Sequence, residues 1–252
     1  MRGDNFRLSH VERLESMERC YKYLGIIKNN DEVICTGSLL SQDWVLTSEQ
    51  CCLDLNPKTA HVGFGLLIWR ETNFISKILS VVFNQDLCLI KLKESILENR
   101  VIKYGNVTDS YEIANCDISF MARLEKNTRN NERSVKCEKM VAVEKSECGK
   151  INDDFGCTKN AFSSITADCI LNRGGPIMCN DNVQIGVITK ILGCDEKGYL
   201  IGYTNLKKHL LFIQRVINGT ISIKNLNLRS SSQQIRMSIK RFLLLIIFLC
   251  NM

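Results

Sequence analysis

Thirteen cysteines and three histidines are the residues of this chain with the most distinctive chemistry. Cys20, Cys35, Cys51, Cys52, Cys88, Cys116, Cys137, Cys148, Cys157, Cys169, Cys179, Cys194 and Cys250 are dispersed over 252 residues with no C-x-x-C pair. Zinc ribbons and thioredoxin-like redox centres are built on that pair, so neither is expected. His10, His61 and His209 are too few and too scattered for a Cys/His metal cluster. No metal and no cofactor are therefore expected. Dispersed cysteines fit disulfides formed in an oxidising compartment. Two glycosylation sequons, Asn106-Val107-Thr108 and Asn218-Gly219-Thr220, point the same way.

The elements that would position these residues are short. From residue 20 to 205, runs rich in Val, Ile, Leu and Tyr alternate with Gly, Asn and Asp clusters. Tyr21–Lys28, Glu32–Leu40, Trp44–Thr47, Ala60–Trp69, Lys77–Phe83, Leu87–Leu92, Lys136–Val143, Pro176–Cys179, Val183–Ile191 and Tyr199–Tyr203 read as strands of an all-β barrel or sandwich. A helical spacing occurs only near the end, where Leu206, Leu210, Ile213 and Ile217 recur at i, i+4, i+7 and i+11. A hydrophobic fraction of 45% can supply a full core. The net charge of +6 is spread through interleaved acidic and basic residues, the pattern of a solvated surface. No basic stripe interleaved with aromatics marks a nucleic-acid partner.

Three separated strings carry the functional information. The first is Cys35-Thr36-Gly37-Ser38-Leu39-Leu40, continuing through Trp44-Val45-Leu46-Thr47-Ser48-Glu49-Gln50-Cys51. The second is Asn84-Gln85-Asp86-Leu87-Cys88-Leu89-Ile90-Lys91-Leu92. The third is Asp168-Cys169-Ile170-Leu171-Asn172-Arg173-Gly174-Gly175-Pro176-Ile177. In order and spacing they resemble the trypsin-like serine proteases of the chymotrypsin fold, whose strings are C-G-G-S-L-I…W-V-L-T-A-A-H-C, N-D-I-A-L-L-K-L and C-x-G-D-S-G-G-P-L. The resemblance runs over about residues 20–218. It implies two antiparallel six-stranded β-barrels packed face to face, with a C-terminal helix at Leu206–Ile217. Residues 1–19 then form a polar lead, and 219–252 a polar linker with a short apolar tail.

Carried over position by position, the family's aspartate falls on Asp86, its histidine on Gln50 and its serine on Arg173. A hydroxyl attacks a carbonyl only when a neighbouring base accepts its proton. Arginine has no hydroxyl, glutamine does not titrate, and neither can act as a general base. None of the three histidines lies where it could substitute. The glycine whose N–H lines the family's oxyanion hole corresponds to Leu171. The carboxylate that receives the activated N-terminus corresponds to Asn172, and the R-I-V-G-G activation string is absent. The two losses are coupled, because a buried aspartate without that ammonium would be an uncompensated charge. In the specificity pocket the base falls on Ala167, the substrate-pairing strand on Thr189-Lys190-Ile191, and a glycine at the mouth near Ile201.

The family framework further implies the disulfides Cys35–Cys51, Cys116–Cys179, Cys148–Cys157 and Cys169–Cys194. Cys20–Cys137 and Cys52–Cys88 are additional candidate pairs, with buried free thiols as the alternative, and Cys250 is left over.

The resemblance therefore implies a secreted, non-catalytic protease homologue that binds a protease, an inhibitor or another cascade component. An active endopeptidase with a hidden base and nucleophile is the alternative. The chain opens without an apolar leader, which suggests that it starts downstream of the natural start. At the other end Phe242–Cys250 is continuously apolar. Such a helix rises only ~14 Å against ~30 Å of hydrocarbon, so it cannot span a membrane alone. With Ser230-Ser231-Ser232 and the polar spacer Gln233–Arg241 before it, the tail matches a lipid-anchor signal, giving an expected route to membrane association.

Overall fold

In a computed structural model of the protein, the residues described are 20–30, 32–65, 74–108, 119–126, 133–149, 155–160, 172–179, 183–195 and 198–220. The lead 1–19 and the tail from residue 221 lie outside them, so the expected anchor signal does too.

Six strands form the first unit: β1 (Leu24–Asn29), β2 (Glu32–Ser41), β3 (Trp44–Ser48), β4 (Ala60–Phe64), β5 (Phe74–Asn84) and β6 (Leu87–Leu92). They close into an antiparallel barrel in the order β1-β2-β3-β6-β5-β4. Its interior holds Ile27, Leu39, Val45, Val62, Phe64, Ile90 and Leu92. β3 is buried at every position, and β6 at all but Lys91. Period-two alternation is lost there because the outer face is also covered. Trp44, Leu46, Leu87 and Leu89 pack outward against Val187, Leu206, Ile213 and Val216 of the second unit. A one-turn helix, α1 (Glu49–Leu53), follows β3. Five residues are too few for a 3.6-residue period to register in the sequence, so this helix was not expected from the pattern.

The second unit contains β7 (Asn106–Val107), β8 (Ser119–Lys126), β9 (Arg133–Ala142), β10 (Phe155–Asn160), β11 (Pro176–Cys179), β12 (Val183–Asp195) and β13 (Gly198–Asn205). They form one sheet ordered β11-β8-β9-β10-β13-β12-β7, and an extra β11–β12 pairing brings its ends together. Six antiparallel strands were expected. The difference is β7, two residues that join β12 in parallel. β8 and β10 do not stand out in the sequence: β8 carries Arg123, Glu125 and Lys126, and β10 is Phe-Gly-Cys-Thr-Lys-Asn, so neither is an apolar run.

The C-terminal helix differs from its expected span. A 3-10 turn covers Leu206–His209, and the α-helix proper, α2, runs Leu210–Ile217. The Asn205 side chain accepts the Lys207 N–H at 2.9 Å. A short side-chain acceptor at the first turn satisfies an otherwise orphan donor and supports the tight start. Leu206, Ile213 and Val216 face the first barrel, and Leu211, Gln214 and Arg215 face solvent.

Tyr203 on β13 shows how the second sheet is packed. Its ring lies over Gly156 of β10 and Gly186 of β12, and a Cβ at either glycine would come well under 3.0 Å from ring atoms. Gly156→Ala should lower stability by about 1–3 kcal/mol, the usual cost of overpacking. Gly193→Ala, where the nearest atom to a new Cβ is 3.7 Å away, should change it by less than ~0.5 kcal/mol. Thermal unfolding of the two variants checks this, and equal melting points would contradict the packing account.

A polar brace closes the rim of the first barrel. Asp43 accepts a hydrogen bond from the Ser95 hydroxyl and one from Lys91 Nζ at 3.1 Å. The Lys91 ammonium also sits 4.9 Å from the centre of the Trp44 ring. The Ser95 hydrogen bond, followed by the contacts from Lys91, holds the Asp43 carboxyl below its ordinary range. A depressed folded-state pKa contributes stability above the unfolded value near ~3.9, and that contribution is lost as pH falls through the folded value. Asp43→Asn should therefore melt below wild type at pH 6, with the gap closing by about pH 2. A gap that stays constant across that range would rule out the linkage.

Candidate functional site

The described parts of the three strings meet at the seam between the units. α1 begins where β3 ends, and its first residue, Glu49, donates its N–H to the Asp86 carbonyl at 2.8 Å. Asp86 itself lies in the tight turn between β5 and β6, where Asn84 pairs with Leu87 and Gln85 takes φ +53°. Gln50 is exposed, and its amide donates to the Asp54 carboxylate at 3.0 Å, along its own helix. Two disulfides hold α1 on either side. Cys51 is bonded to Cys35 of β2 across a Cα–Cα distance of 5.9 Å, and Cys52 to Cys88 of β6 across 6.4 Å.

The third string docks onto this assembly through its backbone. The Arg173 carbonyl accepts the Thr36 N–H at 3.0 Å and the Thr36 hydroxyl at 3.3 Å, and lies 3.5 Å from Cys51 Sγ. Gly174 follows at φ +83°, a left-handed conformation that favours glycine. A Cβ there would collide with Thr47 Oγ1 and the Thr36 carbonyl, and would stand 3.0 Å from Cys51 Sγ. The Gly174 N–H donates to the Ile188 carbonyl at 2.7 Å, and the Ile188 N–H to the Gly175 carbonyl at 2.9 Å. The turn thus links β2 of the first unit to β12 of the second.

This arrangement brings Gln50, Asp86 and Arg173 to one seam, each through backbone contacts of its own neighbourhood. Asn172 is buried, at 2% exposure, and its carbonyl accepts the Gly175 N–H and the Thr36 hydroxyl. Arg173 is half-buried, and its Nε is buried with no hydrogen-bond partner among the described residues. Chemically the seam offers amide and guanidinium donors, with no hydroxyl at position 173 and no imidazole at position 50.

Farther along β12, the Thr189 hydroxyl accepts from the Thr204 hydroxyl at 3.2 Å, and Lys190 Nζ lies 4.0 Å from the centre of the Phe155 ring. Ile191 is half-buried, and Ile201 is 1% exposed within the apolar cluster of the second unit. Ala167 and Leu171 lie outside the described residues, so of the positions expected at a pocket only those on β12 and β13 and Asn172 are described. Nothing in the local sequence marks Thr36, Thr47 and Phe155 as site neighbours. The pair of small residues before Pro176 was the available signal for a close backbone approach, but nothing in it names the opposing threonines.

The remaining expected bridges fall into two groups. Cys148 is bonded to Cys157, with Cα atoms 6.2 Å apart, tying the 3-10 turn Lys145–Cys148 to β10. Cys137 and Cys179 each take part in a further disulfide, the partner of each lying outside the described side chains. Cys116, Cys169 and Cys250, and the side chains of Cys20 and Cys194, lie outside the described residues. His10 does as well, while His61 is partly exposed and His209 is buried at the start of α2. Among the described residues no group of three or more His, Cys, Asp or Glu side chains could hold a metal ion.

Comparison with known proteins agrees with this architecture. The trypsin family model matches residues 14–213. Trypsin II-P29 of Gallus gallus is 26% identical over 208 residues, covering 75% of this chain and 82% of that protein. Snake venom serine proteinase 12 of Crotalus adamanteus is 23% identical over 224 residues, covering 81% and 85%. Kallikrein-4 of Homo sapiens is 24% identical over 208 residues, covering 75% and 80%. Among solved structures, neuropsin, a serine protease expressed in the limbic system of mouse brain, superposes with a TM-score of 0.66 at 16% identity. That superposition covers 80% of this chain and 96% of neuropsin. The family match covers most of the chain and the strand order has the fold of a solved member, so this protein belongs to the trypsin family.

Proposed function

We propose that this protein is a non-catalytic member of the family that acts by binding, as a cofactor or decoy in an extracellular proteolytic pathway. The observation that carries the reading is the pair Gln50 and Arg173, standing where the resemblance puts the family's base and its nucleophile, beside a tight turn at Gly174. Burial of the neutral Asn172 supports it. An aspartate there would be a buried charge in need of a cation, and the family's source of that cation is an activation string this sequence does not contain. The domain responsible spans residues 20–218. The partner is a protease, an inhibitor or another component of such a pathway, bound through the surface loops and the seam; no nucleic acid, metal or cofactor is involved.

The disulfides fit an oxidising compartment. Asn106 and Asn218 are both exposed, as glycan acceptors must be. We place the mature protein outside the cell, glycosylated at these two positions, with the C-terminal tail as a route to the membrane surface.

A fluorophosphonate probe and a broad peptide-substrate library test the loss of catalysis. Neither labelling nor cleavage is expected, and either would restore the endopeptidase reading. The Gln50→His/Arg173→Ser double variant should also remain inactive, because Leu171, Asn172 and the missing activation string are unchanged. Robust cleavage by that variant would show that the scaffold has kept a catalytic shape. For the binding role, affinity capture from extracellular fluid should retain a protease or a protease inhibitor, and repeated empty captures would count against it.

A further inference from the structure

From the surroundings of Arg173 we infer that the seam binds an acidic peptide segment, with one carboxylate held by the Arg173 guanidinium. This inference rests on the binding role proposed above and names the class of ligand. Three observations carry it. First, the backbone of Arg173 is committed: its carbonyl accepts from Thr36 N–H and Oγ1 and touches Cys51 Sγ, so the side chain is what remains to contact a ligand. Second, that side chain is an uncompensated cation. Its Nε is buried without a hydrogen-bond partner, and among the described residues no carboxylate pairs with it. A desolvated donor without an acceptor costs free energy, and a carboxylate on a guanidinium supplies a charge-assisted, often two-pronged partner. Third, a second cation stands close by in the chain topology. Gly174 and Gly175 bond to Ile188 of β12, and Lys190 lies two residues farther along that strand, half-exposed over Phe155.

The same strand favours a peptide over other anions. β11 pairs with β12 only as far as Val187, whereas β13 accompanies β12 to Asp195. Among the described residues, Thr189–Gly193 therefore have an open side away from β13. An open strand edge can pair with an extended backbone, and that mode delivers alternate side chains to one face. A segment lying along this edge could place an Asp or Glu beside Arg173. Asn172, immediately before Arg173, is neutral and buried, so it offers no competing charge.

The test uses the full chain and a positional library of fluorescein-labelled hexapeptides with blocked termini, read by anisotropy. Peptides with Asp or Glu at one fixed position should bind about ten- to a hundred-fold tighter than their Asn or Gln counterparts, the range of a hydrogen-bonded charge pair. Arg173→Gln should abolish that preference, and Arg173→Lys should keep part of it, because a lysine retains the charge but not the fork. In 15N-arginine-labelled protein, the acidic peptides should also shift one Nε–H resonance that is missing in Arg173→Gln. Equal binding of acidic and amide peptides, or an acidic preference that survives Arg173→Gln in a variant with wild-type melting, would overturn the inference. So would a heparin hexasaccharide that binds tighter than every peptide and depends on Arg173, since it would assign the site to a polysaccharide. If wild type binds no member of the library, the peptide assignment fails. The broader binding role is then judged separately, by the capture of protease or inhibitor.

Discussion

The close approach of Gly174 to Thr36, Thr47 and Cys51 is the constraint from which the rest of the seam follows. Two separately hydrogen-bonded sheets meet there through main-chain groups: Thr36 of β2 bonds to the Arg173 carbonyl, and Gly174 and Gly175 bond to Ile188 of β12. No side chain fits at position 174, where φ is +83° and the opposing atoms would lie inside van der Waals contact of any Cβ. Loss of this glycine would both strain the turn and push the units apart. The Cys35–Cys51 bridge reinforces the contact by fixing one wall of the cradle.

A turn held by its backbone leaves its side chains uncommitted. The hydrogen bonds that seat Arg173 involve only its carbonyl, so they do not depend on which side chain it carries. The same is true of position 50, where the helix is fixed by the bridges at Cys51 and Cys52 and by the Glu49–Asp86 main-chain bond. Fold and side-chain chemistry are therefore decoupled at positions 50 and 173. A chain can keep the geometry of the seam whatever groups it displays there.

Apolar packing between the units supports this arrangement over a wider area. Leu46, Leu87 and Leu89 leave the outer face of the first barrel to meet Val187, Leu206, Ile213 and Val216, while Met178 of β11 packs with Tyr23, Leu24 and Ile26 near β1. Burial of apolar surface is non-directional and roughly proportional to area. It can hold the units together, but it cannot set their register. The polar main-chain contacts around Gly174 are directional and can.

The sequence by itself was enough for the family, the strand-rich architecture, the three strings and the residue types at positions 50, 86 and 173, because these depend on local pattern and order along the chain. Most apolar runs became strands for the same reason. Other features depended on contacts that no local pattern encodes. β8 and β10 carry too many polar residues to read as strands alone and are stabilised by their neighbours in the sheet. α1 is too short to have a period, and the Asn205 cap converts the start of the last helix into a 3-10 turn. The setting of Arg173 was also decided only in three dimensions. Its sequence neighbours name the slot, but Thr36 and Cys51, more than a hundred residues earlier, fix its backbone, while its buried Nε has no hydrogen-bond partner among the described residues.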